Sequence, residues 1–267
     1  MKIAIVTGAS SGMGREFVLQ LSQYVQVDEI WAIARRESAL EALKAQCAVP
    51  VRPVALDLLD NASFERYRAL LEAEKPEVAL LVNAAGFGKF GYFENIPMED
   101  EARMIDLNCK ALVLMTRLTV PFMPSGSHIL QLDSLSAFQP VPYITTYGAS
   151  KAFVLSYCRA CNAELKARGI RMMSLNPAWV KTEFFNHAFQ TNNRVQYFNF
   201  IQEAKDVVAV GLRDLFKTKK DISIPGLGVK LQVLGVKLLP HKLVMKTWMN
   251  QQKKPLNNQG LTTKKHG

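Results

Sequence analysis

No apolar run in this chain of 267 residues approaches the roughly 18 residues needed to cross a bilayer. The first apolar stretch, residues 3–6, is too short for the core of a secretory signal, and Thr7-Gly8 opens a different motif. The expected location is therefore cytoplasmic. Cysteine is scarce: Cys47, Cys109, Cys158 and Cys161 are the four in the chain, which suits a reducing compartment and excludes a disulfide scaffold. Cys158 and Cys161 have C-x-x-C spacing, yet there is no second cysteine pair and no nearby histidine. They fall inside an apolar-periodic stretch and read as core residues, so no metal site is expected. Internal repeats and a second domain are also missing, and the length suits one α/β domain with a substantial core.

Acidic residues are nearly absent after residue 216. Residues 217–267 hold eleven lysines and one acid, Asp221, a net of +10, whereas the first 216 residues balance 22 basic against 22 acidic side chains. The basic character belongs to the tail. On its own it supports only salt-sensitive, non-specific nucleic-acid binding, so no specific nucleic-acid partner is expected. Residues 229–250 mix Leu, Val, Met and Trp248 with lysines and are broken at Pro240. Such a basic amphipathic extension suits weak contact with an anionic membrane surface, packing on a partner subunit, or a cover over a pocket. Residues 251–267 are polar and Lys-rich, and are expected to form a disordered tail.

Residues 2–6 are a short, β-branched run that predicts a buried strand, and residues 15–24 predict an amphipathic helix. Between them lies Thr7-Gly8-Ala9-Ser10-Ser11-Gly12-Met13-Gly14. Gly8 allows a tight turn, Gly12 lets backbone approach a pyrophosphate, and Gly14 lets helix and strand pack closely. A helix N-terminus then faces the phosphates, which makes Gly8, Ser10, Ser11, Gly12, Met13 and Gly14 a candidate dinucleotide cradle. The second strand, 28–34, ends at Ala34 and is followed by Arg35 and Arg36. An acid at this strand end would select NAD; two guanidiniums suit a 2′-phosphate and favour NADP(H) over NAD(H). Further strands are expected at 51–56, 78–82, 128–134, 169–176 and 221–226. Helices are expected at 37–47, 61–74, 98–120, 152–168 and 203–216.

Tyr147 and Lys151 are four residues apart at the start of the helical segment, so phenol and ammonium share a face. A phenol ordinarily titrates near pH 10, and a fixed cation beside it is expected to lower that value. This pair, the Gly-rich turn, Asn83-Ala84-Ala85-Gly86, and Ser134 thirteen residues before Tyr147 together resemble the short-chain dehydrogenase/reductase family over residues 2–182. The nearest resemblance is to hydroxysteroid dehydrogenases and 3-oxoacyl reductases.

The resemblance implies a single-domain α/β fold, a Rossmann-like doubly wound sheet of about seven mainly parallel strands with helices on both faces. The catalytic domain would occupy 1–228, with a substrate lid near 182–203. It also implies that Asp57 meets the adenine amino group beside Leu58, and that Asn83, Ala84, Ala85 and Gly86 lie along the cofactor ribose while steadying the sheet. Pro177 and Val180 would meet the nicotinamide carboxamide, with Thr182 near the phosphates. In the catalytic set, Asn108 would hold a water linking Lys151 to solvent, Ser134 would bind the carbonyl oxygen, Tyr147 would exchange the proton, and Lys151 would also hold the ribose. Two positions depart from the family pattern: Asp133 precedes Ser134, and Ala178 stands where glycine is usual. Phe184 and Phe185 head an aromatic-rich stretch expected to cover the substrate, which with other aromatics points to a bulky hydrophobic ketone or alcohol such as a hydroxysteroid. A 3-oxoacyl thioester reductase is the alternative, and a non-catalytic dinucleotide-binding protein a further one. A homodimer or homotetramer is expected.

Overall fold

Apolar runs short enough for strands and buried on both faces build a parallel sheet. In the computed structural model, which describes residues 1–189 and 195–254, six of them are β1 (Lys2–Thr7), β2 (Glu29–Ala34), β3 (Val51–Ala55), β4 (Glu77–Asn83), β5 (His128–Leu132) and β6 (Arg171–Leu175). Two-residue strands β7 (Val180–Lys181) and β8 (Gln202–Glu203) form a separate small ladder, and β9 (Ile222–Ser223) closes the main sheet. The seven-stranded order is β3-β2-β1-β4-β5-β6-β9, every pairing parallel. The order reverses between β1 and β4, and ligands of such sheets bind outside the strand carboxyl ends at that point.

Alternation along β1 shows how both faces are covered. Ala4 and Val6 point into one core with Phe17 of α1 (Gly12–Gln20), Leu40 of α2 (Glu37–Lys44) and Leu212 of the helix over Ala204–Lys217. Ile3 and Ile5 point into the other, with Tyr67 and Leu71 of α3 (Asn61–Glu74). That second core also holds Cys158, as its helical position predicted.

The single helix expected over 98–120 is divided. α4 (Met98–Ile105) and α5 (Leu112–Thr119) are joined by a π-helical turn, Asp106–Ala111. A π turn adds a residue to the winding without breaking the apolar stripe, so periodicity does not register it. α6 (Thr145–Leu165) starts upstream of the predicted helix and holds both Tyr147 and Lys151 within its first turns. The remaining helices are α7 (Phe185–Ala188), α8 (Ala204–Lys217), α9 (Leu227–Leu238) and α10 (His241–Gln251), the last two separated at Pro240. Among the described residues no helix is long and apolar enough to cross a membrane. Residues 190–194 of the expected lid and 255–267 of the expected tail lie outside the described residues.

Candidate active site

Three glycines fix the turn after β1, each for a different steric reason. Gly8 has φ +68°, and a Cβ there would lie 2.8 Å from the Ala85 nitrogen and 2.9 Å from the Ala84 carbonyl. Gly12, at φ +52°, faces the Thr182 side chain, 3.2 Å from where a Cβ would sit. A Cβ on Gly14 would lie 2.1 Å from the Gly8 carbonyl oxygen, so only glycine lets α1 approach the turn this closely. Thr7 Oγ1 accepts hydrogen bonds from the Ala84 and Ala85 amides, both 3.1 Å, and so ties the ends of β1 and β4 together. The Ser11 side chain makes no capping bond to α1, and the first turn of α1 carries no acid. This leaves an N-terminus suited to phosphate.

The Arg36 guanidinium bonds the Ser10 carbonyl (3.3 Å) and hydroxyl (3.4 Å), and pairs with Glu183 at 3.4 Å. The pair is exposed and weakly held. Arg35 lines the same cavity, as do Met13, Ser11, Asp57 and Leu58. Asp57 Oδ1 accepts the Leu59 amide at 3.0 Å. The cradle a Cβ would fill and the guanidinium beside Ser10 fit a phosphorylated dinucleotide.

The cavity continues past Ala84, Ala85 and Gly86 to Ser134, Tyr147 and Lys151, with a volume of about 610 Å³. Its far wall is aromatic. Tyr147 packs edge-on to Phe90 at 5.7 Å between ring centroids and lies 5.6 Å from Phe184. Phe185, mostly buried, and Trp179 extend that cluster, and Trp248 of α10 stacks on Trp179 at 6.3 Å. Trp248 Nε1 donates to the Pro142 carbonyl at 2.9 Å, so α10 is pinned as part of the roof. Trp248 and the cavity-lining Gln232 of α9 were not among the predicted site residues. The only sequence signal was an aromatic in the C-terminal extension. Pro177, Ala178, Val180 and Thr182 complete the near wall. The ladder anchors this segment through a bond from the Gln202 amide to the Trp179 carbonyl, 2.8 Å.

Two predicted residues stand off the cavity. Asn83 turns into the sheet, where its amide donates to Thr116 Oγ1 at 3.0 Å. Asn108 sits on the π turn, 1 % exposed, and its Nδ2 donates to the Phe87 carbonyl (2.9 Å) and to Ser150 Oγ (3.1 Å) while Oδ1 accepts the Phe87 amide (3.1 Å). Both amide hydrogens are engaged, so this side chain braces the 86–87 backbone against α6.

The electrostatics also differ from the sequence expectation. Lys151 Nζ donates to the Leu132 carbonyl at 2.8 Å and lies 5.7 Å from the Tyr147 ring centroid. Burial pushes the Tyr147 phenol above its ordinary value; the Ser134 hydroxyl opposes that rise and the Asp133 carboxylate adds to it. Burial likewise lowers the Lys151 pKa, against Asp133 and Cys109. Desolvation is the largest influence on the phenol and holds its pKa up.

Asp133 is 2 % exposed. Its Oδ2 accepts from Asn176 (2.7 Å) and Ser174 (3.1 Å), while Oδ1 has no hydrogen-bond partner among the described residues. Burial raises its pKa to about 7, against Lys151 and those hydrogen bonds. A carboxyl raised in the fold above its ordinary value binds its proton more tightly folded than unfolded. Its contribution to stability is therefore fully present below about pH 4 and is lost as pH rises through about 7. Asp133→Asn keeps an oxygen for Asn176 and Ser174 and removes the titration. Thermal melts between pH 4 and pH 7 are expected to show a flatter decline for the variant than for the wild type; parallel curves would contradict this.

Comparison with known proteins agrees with this geometry. Residues 2–193 match the family model described as short chain dehydrogenase. An uncharacterized oxidoreductase of Myxococcus xanthus is 32 % identical over 230 residues, 84 % of this chain and 87 % of its own. The NADP-dependent 3-hydroxy acid dehydrogenase YdfG of Escherichia coli O6:H1 is 32 % identical over 192 residues, 70 % of this chain and 77 % of its own. A short-chain dehydrogenase from Sphingobium yanoikuyae, solved in complex with NADPH, superposes with a TM-score of 0.75 at 25 % identity, over 92 % of this chain and 96 % of that one. The chain belongs to the short-chain dehydrogenase family and is an NAD(P)-dependent oxidoreductase.

Proposed function

We propose that the protein interconverts a bulky hydrophobic ketone and its secondary alcohol, with NADP(H) as cofactor. One observation carries the reading: the end of the cavity that holds Tyr147 and Ser134 is walled by Phe90, Trp179, Phe184, Phe185 and Trp248, while the cradle of Gly8, Gly12 and Gly14 with Arg36 lies at its other end. An aromatic wall beside a few polar catalytic groups favours an apolar ligand and orients it by those groups.

When bound, the nicotinamide supplies the hydride for reduction or accepts it in oxidation. Ser134 holds the carbonyl oxygen with its hydroxyl and stabilises charge developing there. The Tyr147 phenol, kept protonated by burial, gives its proton to that oxygen as the carbonyl π bond opens. Lys151, fixed through Leu132, keeps a positive charge beside the resulting phenolate. Asn108 holds the backbone at Phe87 against α6.

Arg35 and Arg36 are expected to recognise the 2′-phosphate. Replacing both with alanine should raise KM for NADPH by about tenfold to a hundredfold, the worth of one or two hydrogen bonds to a charged group. Rates with NADH should barely move. Steady-state kinetics with both dinucleotides checks this, and an equal fall with both would remove the NADP(H) assignment. For the substrate, NADPH oxidation against steroid ketones, 3-oxoacyl thioesters and small aldehydes is the test. Turnover confined to steroid ketones supports the reading. Turnover confined to thioesters makes the protein an acyl reductase, and turnover of small aldehydes alone makes the aromatic wall packing.

A further inference from the structure

Helix α9 is apolar on two opposite sides. Val229, Val233 and Val236 are buried against the body of the protein. Leu227, Leu231, Leu234 and Leu238, spaced four, three and four residues apart, form one stripe on the outer side and are 74, 61, 54 and 75 % exposed. Leu239 and Leu243 carry exposed apolar surface into α10. A helix on the surface of a soluble protein ordinarily turns polar residues outward, so a contiguous leucine stripe implies something that covers it.

The charge around the stripe says what. Residues 227–254 contain six lysines and no Asp or Glu. Lys230 and Lys237, seven residues apart, run along one flank of the leucines, and Lys242 and Lys246 follow on α10, all four exposed. None of them takes part in an ion pair among the described residues, and the Lys237 ammonium lies 5.0 Å from the centroid of the Phe138 ring. A second copy meeting this face about a two-fold axis would bring the same lysines against one another, which opposes association. An anionic bilayer takes leucines at its headgroup boundary and neutralises the lysines in the same contact.

The surface shares its helices with the catalytic cavity. Gln232 of α9 and Trp248 of α10 belong to the cavity lining. We propose that the outer face of α9 and α10 docks on anionic lipid bilayers and so presents the cavity to hydrophobic ketones held in the membrane. The second half of this statement rests on the proposed substrate class; the docking itself does not.

The test is sedimentation of the full chain with vesicles of phosphatidylglycerol and phosphatidylcholine in equal parts, against vesicles of phosphatidylcholine alone. The protein should pellet with the anionic vesicles, stay in solution with the neutral ones, and be released by added salt. The triple variant Leu231→Ser, Leu234→Ser, Leu238→Ser should bind at least about tenfold more weakly, and glutamine at Lys230, Lys237, Lys242 and Lys246 should weaken binding by roughly fivefold for each lysine engaged. Both variants should keep wild-type turnover of a water-soluble ketone, which shows that they are folded. Wild-type protein that ignores anionic vesicles overturns the proposal, as does a leucine variant that pellets like the wild type. Equal binding to both vesicle types overturns it too. If the wild type ignores vesicles and the leucine variant turns a dimer into a monomer, the stripe belongs to a second copy. Sedimentation needs no turnover, so a negative result leaves hydride transfer standing, and an inactive protein that binds vesicles leaves docking standing.

Discussion

Tyr147→Phe is expected to reduce kcat by about a hundredfold to ten-thousandfold, the range over which a positioned acid–base group contributes. Dinucleotide affinity is expected to stay near the wild-type value. The substitution removes only a hydroxyl. The ring that packs on Phe90 and Phe184 remains, so the aromatic wall and the start of α6 keep their support. Fluorescence titration with NADPH and steady-state turnover on the same preparation separate the two quantities. A variant that binds and turns over like the wild type would make the protein a dinucleotide-binding module with no need of this phenol. A variant that loses binding as well would mean that Tyr147 holds the site together rather than acting on the carbonyl.

Gly14→Ala is expected to damage the protein more than its single methyl suggests. The new Cβ would lie 2.1 Å from the Gly8 carbonyl oxygen and 2.6 Å from its carbon. Both are backbone atoms of the turn itself, with no flexible side chain to yield, so α1 must move away from β1. Overpacking of this kind costs about 1–3 kcal/mol, and in a chain of this size each kcal/mol lowers Tm by about 2–4 °C. Because α1 carries the N-terminus that faces the phosphates, NADPH affinity should fall with the melting temperature. Gly235→Ala is the control. It lies in α9, where an added Cβ meets nothing within 4 Å. There alanine should be neutral or raise stability by about 0.5–1 kcal/mol through helix propensity. Calorimetric melts of the two variants measure the difference, and similar Tm values for both would contradict the close approach at Gly14.

The parts of this molecule that were readable in the sequence are those written in local pattern. β1 is a short apolar run, the turn after it needs glycine for stated steric reasons, and Tyr147 and Lys151 share a face because helical spacing requires it. What was not readable depends on contacts between distant segments. The π turn at Asp106–Ala111 leaves the apolar stripe unbroken, and its purpose appears only when Asn108 meets Phe87 and Ser150. The sign of the Tyr147 shift could not be taken from Lys151 alone, because it is set by burial from several elements at once. Asp133 was visible as an acid beside Ser134; its burial with Asn176 and Ser174 became visible only with β6 in place. Trp248 reaches the cavity from more than a hundred residues beyond Pro142, whose carbonyl its indole nitrogen bonds.

Hydride transfer is tested most directly with NADPH carrying deuterium at both nicotinamide C4 positions and a steroid ketone that the enzyme turns over. The alcohol product, analysed by mass spectrometry and NMR, should carry one deuterium on the carbinol carbon, and Tyr147→Phe should yield almost no such alcohol at matched times. An alcohol without that deuterium, or a dinucleotide that binds and is never oxidised by any ketone of the panel, would contradict hydride transfer at this site.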